Sequence, residues 1–212
     1  MPRALPGTNQ DSPTGVVILP RLPLEQVADA AALLIEAFEA KLAPLAGRGA
    51  VGQRVVAASL NPARFLTAMA DGRLVGLCGV RWRGSRRGLS TPIRALAREF
   101  GWLRALPRWA ALSMGHRAVP RRTLYVDHLA VAADARGRGI GTALLTAAVA
   151  LARQQGFGQL RLDVVDTNPR ARALYERLGF VALRTQRTPF LRRWLGFGAV
   201  TVMEQRLGGE EN

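Results

Sequence analysis

The sequence predicts a mixed α/β fold: a twisted sheet of about six to seven strands, partly parallel and partly antiparallel, flanked by helices. Two patterns lead there. Asp71-Gly72 lies between two apolar runs, residues 64–70 and 73–81, and a tight turn with positive φ makes such runs an antiparallel hairpin. Residues 124–131 form a β-rich run that passes through a short turn and a glycine-rich segment into a periodic apolar helix, followed by a second such run at 160–165. A strand, helix, strand unit closes by a right-handed crossover, so its two strands run parallel. Apolar residues make up 49% of the 212, ample for a packed core.

The elements follow in order. Residues 1–14 are rich in Pro, Gly and polar side chains and read as a flexible tail without an apolar export core. Residues 16–19 are a first strand, closed by Pro20 and Pro23. Val27, Ala31, Leu34 and Phe38 recur at helical spacing, which predicts one helix over 24–41 with Glu25 and Asp29 in its early turns. Residues 42–60 read as a loop, with a short helix around 51–59 as an option. The hairpin strands come next, and Cys78 in the second reads as a small buried apolar residue.

Residues 82–122 break the strand rhythm and predict a helical insertion at about 86–120. Ile93, Leu96, Ala97, Phe100 and Leu103 mark one helical face, and Trp102 falls off it. Pro107 should break or kink this helix, with a second short helix running to about Met114. Three dispositions stay open: packing on its own domain, a lid or dimer contact, and a membrane surface, in that order of preference.

The strand at 124–131 places Asp127, Leu129 and Val131 on one face and Val126, His128 and Ala130 on the other, by the period-2 rule. Ile140, Leu144, Leu145, Ala148, Leu151 and Ala152 form the stripe of the next helix, which ends at Gly156 and Gly158. Asn168-Pro169 opens the last helix as N-cap and first residue, and Gly179 closes it. Strands at 180–187 and 199–204 complete the sheet, separated by a loop, and 208–212 is a flexible tail. The expectation is a single domain over 15–207.

Composition narrows the function classes. One cysteine excludes an intramolecular disulfide framework and suggests a reducing compartment, hence a cytoplasmic protein. No apolar run approaches the roughly 20 residues of a spanning helix. Net charge is +15, with Lys41 the only lysine, so the field attracts anions. The arginines are dispersed, and no nucleic-acid-binding signature or metal-ligand spacing accompanies them, so neither nucleic acid nor a metal is expected.

The chemistry gathers at two stretches. Gly137, Gly139 and Gly141 clear side chains from a helix N-terminus, where backbone N–H groups can hold a phosphate, and Arg136 and Arg138 can add charge-assisted hydrogen bonds. The spacing is neither a dinucleotide fingerprint nor a Walker loop. Arg136-x-x-Gly139-x-Gly141 after Leu129-Ala130-Val131, followed by Asn168-Pro169-x-Ala171 and Leu174-Tyr175-x-x-x-Gly179-Phe180, resembles the GNAT superfamily of acyl-CoA-dependent N-acyltransferases.

The resemblance implies a GNAT-like fold and acetyl transfer from acetyl-CoA, the acyl-donor cosubstrate, to a primary amine in a ternary complex. Leu129, Ala130 and Val131 would pair with the pantetheine arm, and one of their N–H groups would polarise the thioester carbonyl. The amides of Gly137, Arg138, Gly139, Ile140, Gly141 and Thr142 would hold the pyrophosphate, with Arg136 beside them. Asn168 would contact the pantetheine arm, and Tyr175 would be the general acid that protonates the leaving thiolate. Many members carry a glutamate base on the strand before the glycine loop, and residues 123–131 contain none. Asp127 is the first candidate for the base and His128 the second, with a water chain or another residue also open. The missing glutamate keeps a catalytically weak CoA-sensing or partner-binding module as the alternative. The acceptor, and whether the chain is a monomer or a homodimer, stay open.

Overall fold

The computed structural model describes residues 15–85, 88–113, 118–187 and 196–208. The predicted tail at 1–14, most of the predicted tail at 208–212 and most of the loop before the last strand lie outside them. Seven strands form one sheet: β1 (Val16–Leu19), β2 (Phe65–Ala70), β3 (Arg73–Arg81), β4 (Thr123–Val131), β5 (Gln159–Val165), β6 (Val181–Arg187) and β7 (Ala199–Arg206). Their order is β1-β2-β3-β4-β5-β7-β6. Only β4 and β5 are parallel neighbours; the other pairs are antiparallel. The sheet is therefore mixed, as expected, and Asp71 and Gly72 turn the β2–β3 hairpin with φ of 49° and 74°.

Two cores lie on opposite faces of this sheet. On one, α6 (Ile140–Gln154) buries Ile140, Leu144, Leu145, Ala148 and Ala152 against Cys78, Val80, Leu124, Val126, Leu160 and Leu162. Gly76 lets the helix approach, since a Cβ there would stand 3.0 Å from Leu144 Cδ1 and 3.1 Å from Ile140 Cγ2. The shorter α7 (Pro169–Arg177) adds Tyr175 to this core. On the other face, α1 (Val27–Ala37), α2 (Glu39–Ala46), α3 (Gly49–Ser59), α4 (Ile93–Phe100) and α5 (Trp102–Ser113) cover Phe65, Leu74, Leu77 and Ala130.

Three local expectations are corrected. The single helix over 24–41 is a 3-10 turn at Leu24–Gln26 followed by α1 and α2, which meet at Phe38. The expected loop at 42–60 is largely helical: α3 matches the short helix allowed around 51–59, while α2 is unexpected, and Leu42, Ala46, Val55 and Val56 are buried in the second core. Pro44 and the glycines at 47 and 49 masked that periodicity. The break in the insertion falls at Gly101, with φ of 73°, and not at Pro107, which sits inside α5. Pro107 lacks the N–H that would reach the carbonyl of Leu103, and Leu103 is 94% exposed, so solvent can serve that carbonyl. The expected end near Met114 lies just beyond the described residues, which carry α5 as far as Ser113. Among the described residues no helix is long and apolar enough to cross a membrane.

Candidate active site

The site is built around a one-residue irregularity in β4. Gly79 pairs with His128 and Val80 with Val126, so Asp127 is an extra residue that β3 does not match. A bulge of this kind bends its strand and disrupts pairing locally. The β4–β5 ladder stops at the same place: its last pair is Val126 with Leu162, although β4 runs to Val131 and β5 to Val165. Beyond Val126 the two parallel strands part and leave facing edges.

Main-chain directions follow from the ladder on the other side. Ala132 donates its N–H to the Val75 carbonyl at 3.0 Å, towards β3. Counting back by twos, Ala130 and His128 turn the same way, so the N–H groups of Leu129 and Val131 point into the gap. The Val131 carbonyl accepts a hydrogen bond from Arg136 Nε at 3.1 Å. That guanidinium also lies 3.8 Å from Glu36 Oε1 at the end of α1, with both side chains more than half exposed. Arg136 is thus folded back over the mouth of the gap.

The bulge also corrects the predicted faces of β4. Leu124 and Val126 lie in the core under α6, and Leu129 and Val131 pack against that same core. Val126 therefore shares a face with Leu129 and Val131, not with His128 and Ala130. Asp127 leaves the face of Leu129: it accepts from Arg81 Nε at 2.6 Å. Arg81 lies opposite Tyr125 and over its ring at 4.8 Å, on the face away from α6. His128 packs edge-on against Phe38 with ring centroids 5.6 Å apart, on that same face. The two candidate bases, expected on opposite faces, come together.

The glycine loop sits at one end of the gap. Arg136, Gly137, Arg138 and Gly139 are all exposed, and buried Ile140 anchors the helix that follows. Gly137 and Gly139 each have φ of 78°, and Gly139 is the N-cap of α6. The first intrahelical bond runs from Ala143 N–H to the Gly139 carbonyl, so the N–H groups of residues 140–142 have no partner within the helix. Three orphan donors and the positive end of a 15-residue helix suit a pyrophosphate. Gly141 is half-buried beside Leu174, and Thr142 is exposed.

The second stretch closes the site from α7. Asn168 caps that helix, its side-chain oxygen accepting from Ala171 N–H at 3.1 Å, so the amide nitrogen is the group left for a ligand. Tyr175 is buried at 7% exposure, with Phe180 at 6.0 Å between ring centroids. Burial pushes its hydroxyl up to about 12, with a smaller push from Cys78. The Cys78 thiol, fully buried, is likewise raised to about 12 by burial and then by Asp127. Cys78 behaves as the buried apolar residue expected of it.

Sequence reasoning missed the polar chain that continues across the sheet. Tyr125 donates its hydroxyl to Asp163 Oδ1 at 2.7 Å, and Asp163 is the first residue of β5 beyond the ladder. Arg161 donates to the buried Glu204 at 2.6 Å. A cavity of about 320 Å³ opens beside Tyr125, lined also by Pro120, Arg161, Leu183, Arg184 and Val202. One signal was available: the apolar period slips by one between Val126 and Leu129, as a bulge requires. Arg81 stands 46 residues from Asp127, and no local pattern links them.

The profile of the acetyltransferase (GNAT) family matches residues 35–180. A 58-residue stretch is 40% identical to thialysine N-epsilon-acetyltransferase of Bos taurus, covering 27% of this chain and 34% of that protein. Streptothricin acetyltransferase of Streptomyces lavendulae is 40% identical over 57 residues, 27% of this chain and 30% of its own length. The match thus spans about a third of either relative. The structure of yncA from Salmonella typhimurium, determined with its cofactor acetyl-CoA, superposes over 94% of this chain and 98% of its own. Its TM-score is 0.61 at 16% identity, a likeness of fold.

Proposed function

The chain belongs to the acetyltransferase (GNAT) family, and from that premise we propose that it moves an acetyl group from acetyl-CoA to a primary amine by direct attack in a ternary complex. The observation that carries the reading is the parted edge of β4 and β5, bounded by the orphan N–H groups of α6. An extended arm with a pyrophosphate at one end fits between them. Bound acetyl-CoA supplies a thioester carbon as electrophile and a thiolate as leaving group.

The chain's own groups divide the remaining work. The N–H groups of residues 140–142 hold the pyrophosphate, and the amides of Gly137, Arg138 and Gly139 lie beside them. Leu129 and Val131 align the arm through their main chains, and an N–H aimed at the thioester oxygen stabilises charge that grows there. Asn168 contributes its amide nitrogen to the arm. Tyr175 keeps its proton at neutral pH, as a general acid must, and delivers it to the departing sulfur.

The amine loses its proton on the opposite face. Asp127 and His128 both face that side. Protonating Asp127 would remove the negative charge that faces the Arg81 guanidinium, only 10% exposed. His128 is the better proton acceptor, and Asp127 with Arg81 holds the bulge that presents it. The body of the acceptor extends towards the cavity beside Tyr125.

An amine panel followed by CoA release tests the proposal, run beside a thermal-shift titration with CoA. Release of CoA with at least one amine is the expected result. Stabilisation by CoA without turnover on any amine would replace it with a CoA-sensing module.

A further inference from the structure

The α4–α5 insertion faces two ways. Inward, Leu96 and Ala105 are fully buried in the second core. Outward, α5 carries Trp102, Leu103, Leu106, Pro107 and Ala110 on one continuous arc, opposite Ala105 and Leu112, with no charged residue among them. Trp102 is 63% exposed, Leu103 94% and Leu106 58%, and Trp109 adds 39% at the flank. Isolated exposed leucines need no explanation; four large apolar side chains within eight residues of one helix do.

Charge surrounds this arc. Arg104 and Arg108 flank it on α5, with Arg108 donating to the Arg104 carbonyl at 3.1 Å and stacking over Phe100 at 4.7 Å. Arg94 and Arg98 are exposed on α4. Among the described residues of 82–122 there are seven arginines and one acid, Glu99. Glu99 is engaged by Arg54 through two hydrogen bonds of 2.8 and 2.7 Å. The two helices of the insertion, with four arginines and one engaged acid, are therefore a cationic surface beside an apolar stripe.

We propose that this outer face docks the protein on an anionic lipid surface, with Trp102, Leu103 and Leu106 entering the headgroup–acyl boundary. The occupant follows from complementarity. A second copy would set arginines against arginines. A nucleic acid would answer the charge and leave the leucines in water. An anionic bilayer satisfies both, because a helix of this pattern lies in the interface plane with its basic flanks at the phosphates. The inference rests on the exposed arc of α5 and does not depend on the proposed activity.

The test uses the full chain with vesicles of phosphatidylcholine alone and with about 30% phosphatidylglycerol. Sedimentation with the anionic vesicles only, accompanied by a blue shift of tryptophan emission, is expected. The Leu103→Ser/Leu106→Ser variant should bind about tenfold more weakly or less. Arg98→Gln/Arg104→Gln should weaken binding several-fold and reduce its salt dependence. These side chains are exposed, so an unchanged melting temperature would show that the variants fold. No binding to anionic vesicles at low salt would overturn the proposal. So would binding undiminished in the leucine variant, which reduces it to bulk charge. A concentration-dependent dimer abolished by that same variant would seat a second copy there instead.

Discussion

Residues 123–126, the first half of β4, pair with β5 and are buried, Tyr125 and Val126 pairing with β3 as well; residues 127–131, the second half, keep only the β3 side of their ladder. One extra residue, Asp127, separates them. The first half is held by buried side chains and the β5 ladder, with β3 joining at Tyr125 and Val126. The second half gives up the β5 ladder, and the N–H groups of Leu129 and Val131 turn into the gap, where the proposed function seats the cofactor arm. A single bulge coincides with the end of the β5 ladder, and it also moves Asp127 onto the face of His128.

The comparison predicts that the halves fail differently. Leu124→Ala, in the sealed half, should cost about 3–4 kcal/mol of stability in denaturant unfolding. Leu129→Ala, half-buried at the open edge, should cost clearly less. Equal losses would mean that the second half is no less structural than the first.

Gly139→Val comes next. Its left-handed backbone at the α6 cap is unsuited to a β-branched side chain, which would also crowd the orphan N–H groups. Acetyl-CoA affinity by calorimetry should fall on the order of 100-fold, about 2.7 kcal/mol. Wild-type affinity in this variant would remove the glycine loop from the site.

Tyr175→Phe should lower kcat roughly tenfold or more while moving the KM for acetyl-CoA little, the pattern for a group used in the chemical step. An unchanged kcat would leave Tyr175 as packing alone.

The smallest effect is on alkaline stability. The Tyr175 hydroxyl rises from 10.0 to about 12 on folding, so the unfolded chain releases that proton first as pH climbs. Its contribution is complete below pH 10 and is lost as pH rises towards 12. By pH 11 the loss is about 1 kcal/mol, and Tyr175→Phe should be flatter than wild type over that range. Cys78 acts in the same direction from 9.0 to about 12, so its loss starts at lower pH and Cys78→Ala should be flatter than wild type from about pH 9. Parallel pH profiles for all three proteins would contradict the burial of these groups.

Residues whose role depends on near neighbours were legible in advance. Asp71-Gly72 made its hairpin, Asn168 capped α7, and the glycine loop met the N-terminus of α6, because each is decided within a few residues. Pro107 misled for the same reason: helix continuity there rests on an exposed carbonyl, which solvent can serve, while Gly101 supplies the backbone reversal. The Arg81–Asp127 pair was not legible, since it spans two strands, and their register is set by the whole sheet.

The chain by itself determined the order of the strands, the mixed sheet and the glycine loop at the N-terminus of α6, all products of local spacing and backbone preference. Only the tertiary structure decided where β4 and β5 part, which face carries Asp127 and His128, and which side of α5 is left in solvent. Each of those depends on how distant segments share a register or a core, and a period of two or of 3.6 residues contains no record of that.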